Sequence, residues 1–248
     1  MLEASSQTEL VPQSIAIAPY HLATAVGYAG AQMASRFKPD PRSTSLTIVR
    51  PTRQVVWYEG PAVLALADEL HDVYADAFSG PPWNKQQAGI DQFRHRLDTD
   101  AHRAGFRAVV TTSPAGIDGF ATGWITGQPF RSDRAYAMVA AQLGPQRVAR
   151  MLLGALEVDE LAVRPRARLG GLGRQLLGEL ISDAPGGRAW LLTSPQITDT
   201  VAFYRRVGWH GVPPLPGKDN GIVVFLSPAH PARDTPAPPR PGRSHHGE

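Results

Sequence analysis

One stretch in the second half of the chain constrains the fold most, because it predicts a strand, a glycine-rich turn and a helix in direct succession. The apolar positions of the strand are Leu156, Val158, Leu161 and Val163. Pro165 ends the strand, since a proline cannot donate a hydrogen bond to a neighbouring strand. The turn carries Gly170, Gly171 and Gly173. The apolar face of the helix, predicted over 172–182, carries Leu172, Leu176, Leu177, Leu180 and Ile181.

A strand, turn and helix in this order predict an anion site at the start of the helix. The first N–H groups of a helix have no partner within it, and the helix dipole adds partial positive charge there. Glycines let a phosphate approach the backbone closely. Arginines are concentrated at the same place: Arg164, Arg166, Arg168 and Arg174. A glycine-rich turn with solvated arginines, in any α/β domain, would show the same pattern.

The two common nucleotide-phosphate motifs do not fit this turn. Gly173 is followed by Arg174, where a P-loop needs lysine, and Leu176 stands where the dinucleotide motif needs its third glycine. Arg168, Gly171 and Gly173 instead fit the pattern R/Q-x-x-G-x-G/A directly after a strand. This pattern resembles the acyl-CoA signature of the GNAT superfamily of N-acetyltransferases. The resemblance implies that acetyl-CoA is the co-substrate, with its pyrophosphate in the turn.

The predicted order of elements is similar to that of the GNAT family over residues 46–227. The resemblance implies an α/β fold with a mixed, mostly antiparallel sheet, splayed between strands 4 and 5 and flanked by helices. Residues 1–45 are predicted to be an extension, and 228–248 a disordered tail rich in proline and arginine. The helical pattern over 132–154, broken near Gly144-Pro145, departs from the usual hairpin. Predicted strands are 46–50 with 54–58, 106–112, 119–126, 156–163, 188–193 and 221–226; the other predicted helices are 61–78, 86–103 and 198–207.

The resemblance also implies which residues contact the coenzyme. The predicted set is Leu161, Ala162, Val163, Arg168, Leu169, Gly170, Gly171, Leu172, Gly173 and Arg174. In the family, the end of strand 4 pairs with the pantetheine amides, and a backbone N–H near it stabilises the oxyanion. The turn residues would hold the phosphates through backbone N–H groups, with arginine side chains adding charge-assisted hydrogen bonds.

Tyr204 is the candidate proton donor. It lies in Phe203-Tyr204-Arg205-Arg206-Val207-Gly208-Trp209, which resembles the family segment whose tyrosine hydroxyl faces the coenzyme sulfur. A phenol is protonated at neutral pH and can still donate a proton to the leaving thiolate. The alternative is a packing aromatic beside Phe203.

Glu157 and Glu160 are the candidate bases. Glu157 lies eleven residues before Arg168, where several family members place a glutamate, and Glu160 lies eight residues before it. Successive strand residues point to opposite faces, so these two carboxylates should lie on different sides unless a bulge intervenes. Either could be merely a polar strand residue, and many family members use no single base.

Trp83, Asn84 and Trp124 are the candidate acceptor-binding residues, because in this fold the loop between the first two helices borders the acceptor. A tryptophan there could stack on the acceptor, or Trp83 could equally be a hydrophobic plug. The acceptor implied by the family is an amine of a small molecule or a protein. A catalytically silent acyl-CoA-binding module is the alternative function. Because related enzymes are often dimers, the resemblance allows a homodimer.

The composition of the chain narrows the classes of function that remain. The chain has 248 residues, a net charge of +3 and no cysteine, which argues against a general nucleic-acid-binding field and excludes thiolate catalysis. Binding of nucleic acid through Arg164, Arg166, Arg168 and the basic tail stays a weaker alternative. The eight histidines show no metal-binding spacing, so no metal is expected. Residues 15–35 carry no formal charge, but polar residues interrupt them, so a membrane span is not expected; we expect a cytoplasmic protein.

Overall fold

The computed structural model describes residues 53–168 and 170–234. Seven strands form one sheet in the order β1-β2-β3-β4-β5-β7-β6, and β4 with β5 is the one parallel pair of that sheet. The predicted α/β fold with a mixed, mostly antiparallel sheet is therefore confirmed. The strands are β1 Gln54–Glu59, β2 Arg107–Ser113, β3 Gly116–Ile125, β4 Leu156–Val163, β5 Ala189–Thr193, β6 His210–Val212 and β7 Val223–Leu226.

Within the described residues, five α-helices flank the sheet. They are α1 Ala67–Phe78, α2 Gln87–Asp100, α3 Tyr136–Arg147, α4 Leu172–Leu180 and α5 Thr198–Arg206. Short 3-10 turns cover Gly60–Leu66, Pro165–Ala167, Pro185–Gly187 and Pro231–Asp234. The predicted start of the first helix at Pro61 is thus the beginning of a 3-10 segment that leads into α1. The predicted strand over 46–50 lies outside the described residues.

The two faces of the sheet carry different helices because apolar residues alternate along the strands. Val109, Ala121 and Leu161 pack with α4 and α5 in one cluster. Val110 and Phe120, one position away from Val109 and Ala121, pack with α1 and α2 on the other face. Each strand therefore contributes to two cores, one on either side.

The segment predicted to be helical over 132–154 contains α3 followed by a π-helical turn at Val148–Leu152. The predicted break lies at Gly144, whose φ of 74° and ψ of 161° are not helical. Tyr136, Val139 and Leu152 bury their side chains against Trp190 and against β7. The insertion therefore covers the β5–β7 end of the sheet on the face opposite α5.

The parallel pair of strands separates soon after it begins. β4 and β5 are in register only at Leu156 with Ala189 and at Glu157 with Trp190, although β4 continues to Val163. Beyond Glu157, β4 pairs with β3 on one side and with no strand of the described residues on the other. The sheet is therefore splayed between these two strands, as predicted, and Glu157 lies at the apex of the opening.

Strand β4 contains a β-bulge. Thr122 of β3 faces Glu160, but the next residue, Gly123, faces Val158, so Asp159 is one residue more than the partner strand has. At Gly123 a Cβ would lie only 2.3 Å from the carbonyl oxygen of Glu157, so this close approach requires glycine.

Residues just beyond the predicted domain boundary at 227 pack on the domain. The His230 side chain is fully buried, and its Nε2 lies 2.9 Å from the carbonyl oxygen of Met151. Burial lowers the pKa of this imidazole, which favours the neutral ring. The tail residues 235–248 lie outside the described residues.

Candidate active site

The bulge brings the acidic residues of β4 to one face of the sheet. Before it, Leu156 and Val158 pack toward α4; after it, Leu161 and Val163 pack toward the same helix. Glu157 and Glu160, three positions apart, therefore both lie on the α1–α2 face. The sequence predicts opposite faces for them unless a bulge intervenes, and the bulge is what the structure supplies.

Glu157 is a buried carboxyl with one free oxygen. The Tyr136 hydroxyl donates a hydrogen bond of 2.6 Å to its Oε1, while its Oε2 is buried and has no partner among the described residues. Burial raises the pKa of Glu157 to about 7, against the hydrogen bond from Tyr136 and the positive charges of Arg131, Arg134 and Arg103, which lower it. The group can therefore exchange a proton near neutral pH.

Glu160 lies in a second network, toward α1 and α2. Arg96 Nη2 donates to Glu160 Oε1 at 3.2 Å and to the Tyr74 hydroxyl at 3.1 Å, and Lys85 also donates to that hydroxyl. Burial raises the pKa of Glu160, although the charges of Lys85 and Arg96 lower it. Burial in turn lowers the pKa of the Lys85 ammonium. Glu160 is thus held by cations on the helix side.

Asp159, the bulge residue, joins the acids to the end of α2. Arg134 Nη1 lies 3.5 Å from Asp159 Oδ1, and its Nη2 donates to Asp100 Oδ2 at 2.7 Å. Arg103 Nε donates to the same Asp100 at 2.5 Å. Burial and the charge of Glu160 raise the pKa of Asp159 well above its ordinary value. The sequence analysis did not select Asp159, because only the bulge turns it toward this network.

A cavity of about 220 Å³ lies beside Glu157, between the end of β3, the end of α2 and the loop before α3. Its lining includes Arg103, Trp124, Thr126, Arg131, Tyr136 and Glu157. Of the three predicted acceptor-binding residues, Trp124 lines this cavity; its ring stacks on Phe106 at 6.4 Å and lies under the Arg103 guanidinium at 4.9 Å.

The other two predicted acceptor-binding residues lie elsewhere. Trp83 packs edge-on against Phe78, with ring centroids 5.7 Å apart, which matches the hydrophobic-plug alternative. Asn84 is exposed and has a positive φ of 45°. Neither belongs to the described lining of the cavity, so the structure does not bring them together with Trp124 and Glu157.

The predicted pantetheine-binding residues form an open strand edge. Leu161, Ala162 and Val163 are in register with Ala121, Phe120 and Gly119 of β3, and no strand of the sheet pairs with their other side. Alternate backbone groups of a strand point to its two sides, so some of their N–H and C=O groups face the splay. An extended amide-bearing chain can pair there as an added strand does.

The start of α4 presents backbone N–H groups to its surroundings. Gly171 has a positive φ of 78°, and the helix has no side-chain cap. The Gln175 N–H donates to the Gly171 carbonyl at 3.0 Å, so the earlier N–H groups of Leu172, Gly173 and Arg174 precede the first helical bond. Gly170 and Gly171 are exposed. Leu169 lies outside the described residues.

Three of the four nearby arginines bind protein acceptors. Arg168 donates to the carbonyl oxygens of Val163 at 3.1 Å and Ala77 at 2.9 Å, which ties the end of β4 to α1. The side chains of Arg164 and Arg166 bind carbonyls of the β2–β3 turn region and the carboxylates of Asp76 and Asp118 respectively. Arg174, in the first turn of α4, is exposed. At the predicted anion site, the backbone N–H groups of α4 are therefore more available than these three side chains.

Tyr204 is fully buried in the core on the α4–α5 side. It packs against Phe203, Trp209 and Phe225 at centroid distances of 5.4, 5.9 and 5.4 Å. Its hydroxyl is buried without a partner among the residues described. Burial, and secondly the charge of Glu160, raise the pKa of Tyr204 well above 10, so the hydroxyl stays protonated. Tyr204 therefore packs as an aromatic side chain, and its hydroxyl is a hydrogen-bond donor without a partner among the described residues.

Within 53–168 and 170–234, no group of three or more histidine, aspartate or glutamate residues is arranged to hold a metal ion. In the same part of the chain, no helix is long and apolar enough to cross a membrane. Residues 15–35 lie outside it.

Comparison with known proteins agrees with the fold. The family model described as Acetyltransferase (GNAT) family matches residues 68–209, more than half of the 248 residues. Among solved structures, PH1933 from Pyrococcus horikoshii aligns with a TM-score of 0.50 and 17% identity, covering 71% of this chain and 98% of its own.

Two further structures were determined with a bound coenzyme. PaiA N-acetyltransferase from Thermoplasma acidophilum, in complex with coenzyme A, aligns with a TM-score of 0.46 and 11% identity over 71% of this chain and 98% of its own. YncA from Salmonella typhimurium, with acetyl-CoA, aligns with a TM-score of 0.44 and 15% identity, covering 76% of this chain and 98% of its own. None of the curated proteins matches the chain in sequence. Because the family model covers more than half of its length, the chain belongs to the GNAT family of acetyltransferases.

Proposed function

We propose that this protein transfers the acetyl group of acetyl-CoA to a primary amine that binds in the cavity beside Glu157. The observation that carries the proposal is Glu157 itself. Its buried carboxyl has a pKa of about 7 and an unpaired oxygen, and it lies at the apex of the splayed strands. The opening between β4 and β5 and the cavity therefore meet at Glu157, whose carboxylate can accept a proton at neutral pH.

The splay and the start of α4 fit the two ends of acetyl-CoA. The open edge at Leu161, Ala162 and Val163 would pair with the pantetheine amides. The N-terminal N–H groups of α4 would bind the pyrophosphate, where the helix dipole favours negative charge. Gly171 is exposed and has no atom within 4 Å of the position of a Cβ, so a phosphate has space to approach.

Glu157 prepares the amine for attack. A primary amine has a pKa of roughly 10 in water, so it arrives mainly as an ammonium without a lone pair. Glu157 takes the first proton and later returns it to solvent. Each glutamate has one hydrogen-bonded oxygen and one buried oxygen without a partner among the described residues. Glu160 is the weaker candidate for this role because it is not part of the cavity lining and because Arg96 donates to it as a cation.

The transfer then forms the N–C bond as the C–S bond breaks. The nitrogen lone pair adds to the thioester carbonyl, and a backbone N–H near Leu161–Val163 would stabilise the oxyanion. The sulfur leaves with the bonding electron pair and receives a proton from the Tyr204 hydroxyl. The second proton lost by the nitrogen replaces the one that Tyr204 gives.

Acetyl-CoA titrated into the protein in a calorimeter, and thiol release from acetyl-CoA with a panel of primary amines, test the proposal. We expect saturable binding, and thiol release that depends on at least one amine. Binding without amine-dependent thiol release across the panel would contradict transfer and favour the silent acyl-CoA-binding module. No heat of binding would contradict the coenzyme site as well.

A further inference from the structure

The cavity beside Glu157 contains a second unpaired polar atom besides Glu157 Oε2. Arg131 also lines this cavity, and its Nη1 is buried without a hydrogen-bond partner within the described part of the chain. One atom is a cationic donor and the other is an acceptor that can be charged. A buried polar atom without a partner is destabilising, so a ligand that pairs with both atoms would recover that loss.

Arg131 is held in place by contacts that leave this donor available. Its Nε donates to Asp133 Oδ1 at 2.7 Å, and its Nη2 donates to Asp133 Oδ2. Asp133 is about half exposed, so the carboxylate neutralises the guanidinium from the solvent side. The remaining nitrogen, Nη1, is the buried one. A guanidinium fixed in this way can bind a second carboxylate without losing much side-chain freedom.

Tyr136 joins the two unpaired groups. The Arg131 guanidinium lies over the Tyr136 ring at 4.8 Å from its centroid, and the hydroxyl of the same ring donates to Glu157. The cation therefore contacts the face of the ring, and the carboxyl contacts its hydroxyl. Because both groups contact one side chain, a single small ligand with two charged groups can reach both.

The lining carries groups of both signs. Arg103 and Arg131 contribute two cations to the cavity wall, against one carboxyl, Glu157. Asp100 and Asp133 each pair with one of these arginines and weaken their field. An ammonium can therefore bind at Glu157, but only a ligand that also carries a carboxylate uses the Arg131 Nη1 donor.

From this arrangement we infer that the acceptor is a small amino acid, whose amine lies at Glu157 and whose carboxylate binds Arg131. The inference rests on the proposed acetyl transfer and names its substrate class. The cavity of about 220 Å³ is smaller than the 300–1,000 Å³ typical of drug-sized ligands, which also favours a compact acceptor.

The test compares acceptors that differ only in the carboxylate. The common α-amino acids, β-alanine and γ-aminobutyrate are each assayed against their own amide, by thiol release from acetyl-CoA. We expect at least one acid to exceed its amide tenfold or more in kcat/KM. In Arg131→Gln the kcat/KM of that acid should fall at least tenfold more than that of its amide, mainly through KM, and Arg131→Lys should restore part of the difference.

The outcomes separate this inference from the proposed function. If amides and acids are acetylated equally well, the protein is an N-acetyltransferase and the amino acid assignment is wrong. If Arg131→Gln lowers both members of a pair by the same factor, Arg131 is structural and the carboxylate site is wrong. If no primary amine promotes thiol release, the proposed transfer itself fails.

Discussion

The proposed coenzyme end and the proposed acceptor end of this protein are built in different ways. The coenzyme end uses backbone groups of one continuous stretch, from the edge of β4 to the first turn of α4. The acceptor end uses side chains from the turn after α2, from β3, from the loop before α3, from α3 itself and from β4. One end depends on backbone conformation, and the other depends on which charged side chains the fold buries together.

This difference assigns different chemistry to the two ends. Backbone N–H groups have no titratable proton near neutral pH, so a site made from them binds anions in a way that varies little with pH. Glu157, Asp159 and Glu160 are buried with raised pKa values. Variants at the acceptor end should therefore change turnover and its pH dependence, while variants at the coenzyme end should change binding of acetyl-CoA.

Glu157→Gln should have the largest effect. Removal of the base is expected to lower kcat by about 10²–10⁴-fold, the usual contribution of general acid–base catalysis. The pKa of Glu157 is about 7, above its ordinary value, so the wild-type rate should rise with pH through about 7 as the carboxyl loses its proton. This rise near pH 7 should be absent from the kcat/KM–pH profile of the variant. Glu179→Gln on α4, outside the cavity lining, is the control, and unchanged rates in Glu157→Gln would remove Glu157 from the mechanism.

The same variant should be more stable than the wild type at high pH. Because the folded-state pKa of Glu157 is raised from 4.5 to about 7, ionisation of the buried carboxyl destabilises the fold as pH rises through that range. Glu157→Gln should gain unfolding free energy at pH 8, on the order of 3 kcal/mol, and little at pH 4. Urea unfolding at the two pH values measures this, and an equal change at both would contradict the burial of an ionised carboxyl.

Tyr204→Phe should lower kcat at least tenfold with little change in the Kd of acetyl-CoA, because it removes the proton donor and keeps the ring. It should also raise the unfolding free energy by about 1 kcal/mol, since the hydroxyl is buried without a partner in the described structure. Steady-state kinetics and urea unfolding measure both quantities. A rate equal to that of the wild type would leave Tyr204 as a packing aromatic only.

Gly171→Val should give the smallest effect. In contrast to Tyr204→Phe, it should weaken the binding of acetyl-CoA. A β-branched residue is strained at the positive φ of 78°, so the start of α4 should distort, and acetyl-CoA binding should weaken about tenfold. The matched control is Gly178→Val in the same helix, where a Cβ also has no atom within 4 Å. Equal affinities of the two variants in calorimetry would show that the turn does not bind the coenzyme.

The local elements could be predicted well from the sequence. The run 156–163 is β4 with the same bounds, because a strand-length apolar pattern ends at Pro165 and no other element competes for it. The break in the helical segment was predicted at Gly144, since glycine and proline act on their own backbone. The short edge strand β6 was not predicted, because its three residues, His210–Val212, carry no alternation.

Contacts between distant segments could not be predicted in this way. Tyr136 lies in the predicted helical segment 132–154, but its hydroxyl donates to a carboxyl 21 positions away. Arg131 and Arg103 showed no pattern that marks a cavity wall. The arginines near the glycine turn are expected to bind a phosphate, yet Arg168 donates to the carbonyl oxygens of Val163 and Ala77.

The sequence by itself determined the succession of strand, glycine turn and helix, because period-two apolar spacing and a residue that tolerates positive φ act over only a few positions. Only the tertiary structure decided that Glu157 and Glu160 share a face, because the bulge at Asp159 depends on how β4 aligns with Thr122 and Gly123 of another strand. Burial of that face then raised the pKa values of the acids, and burial is a property of the whole fold.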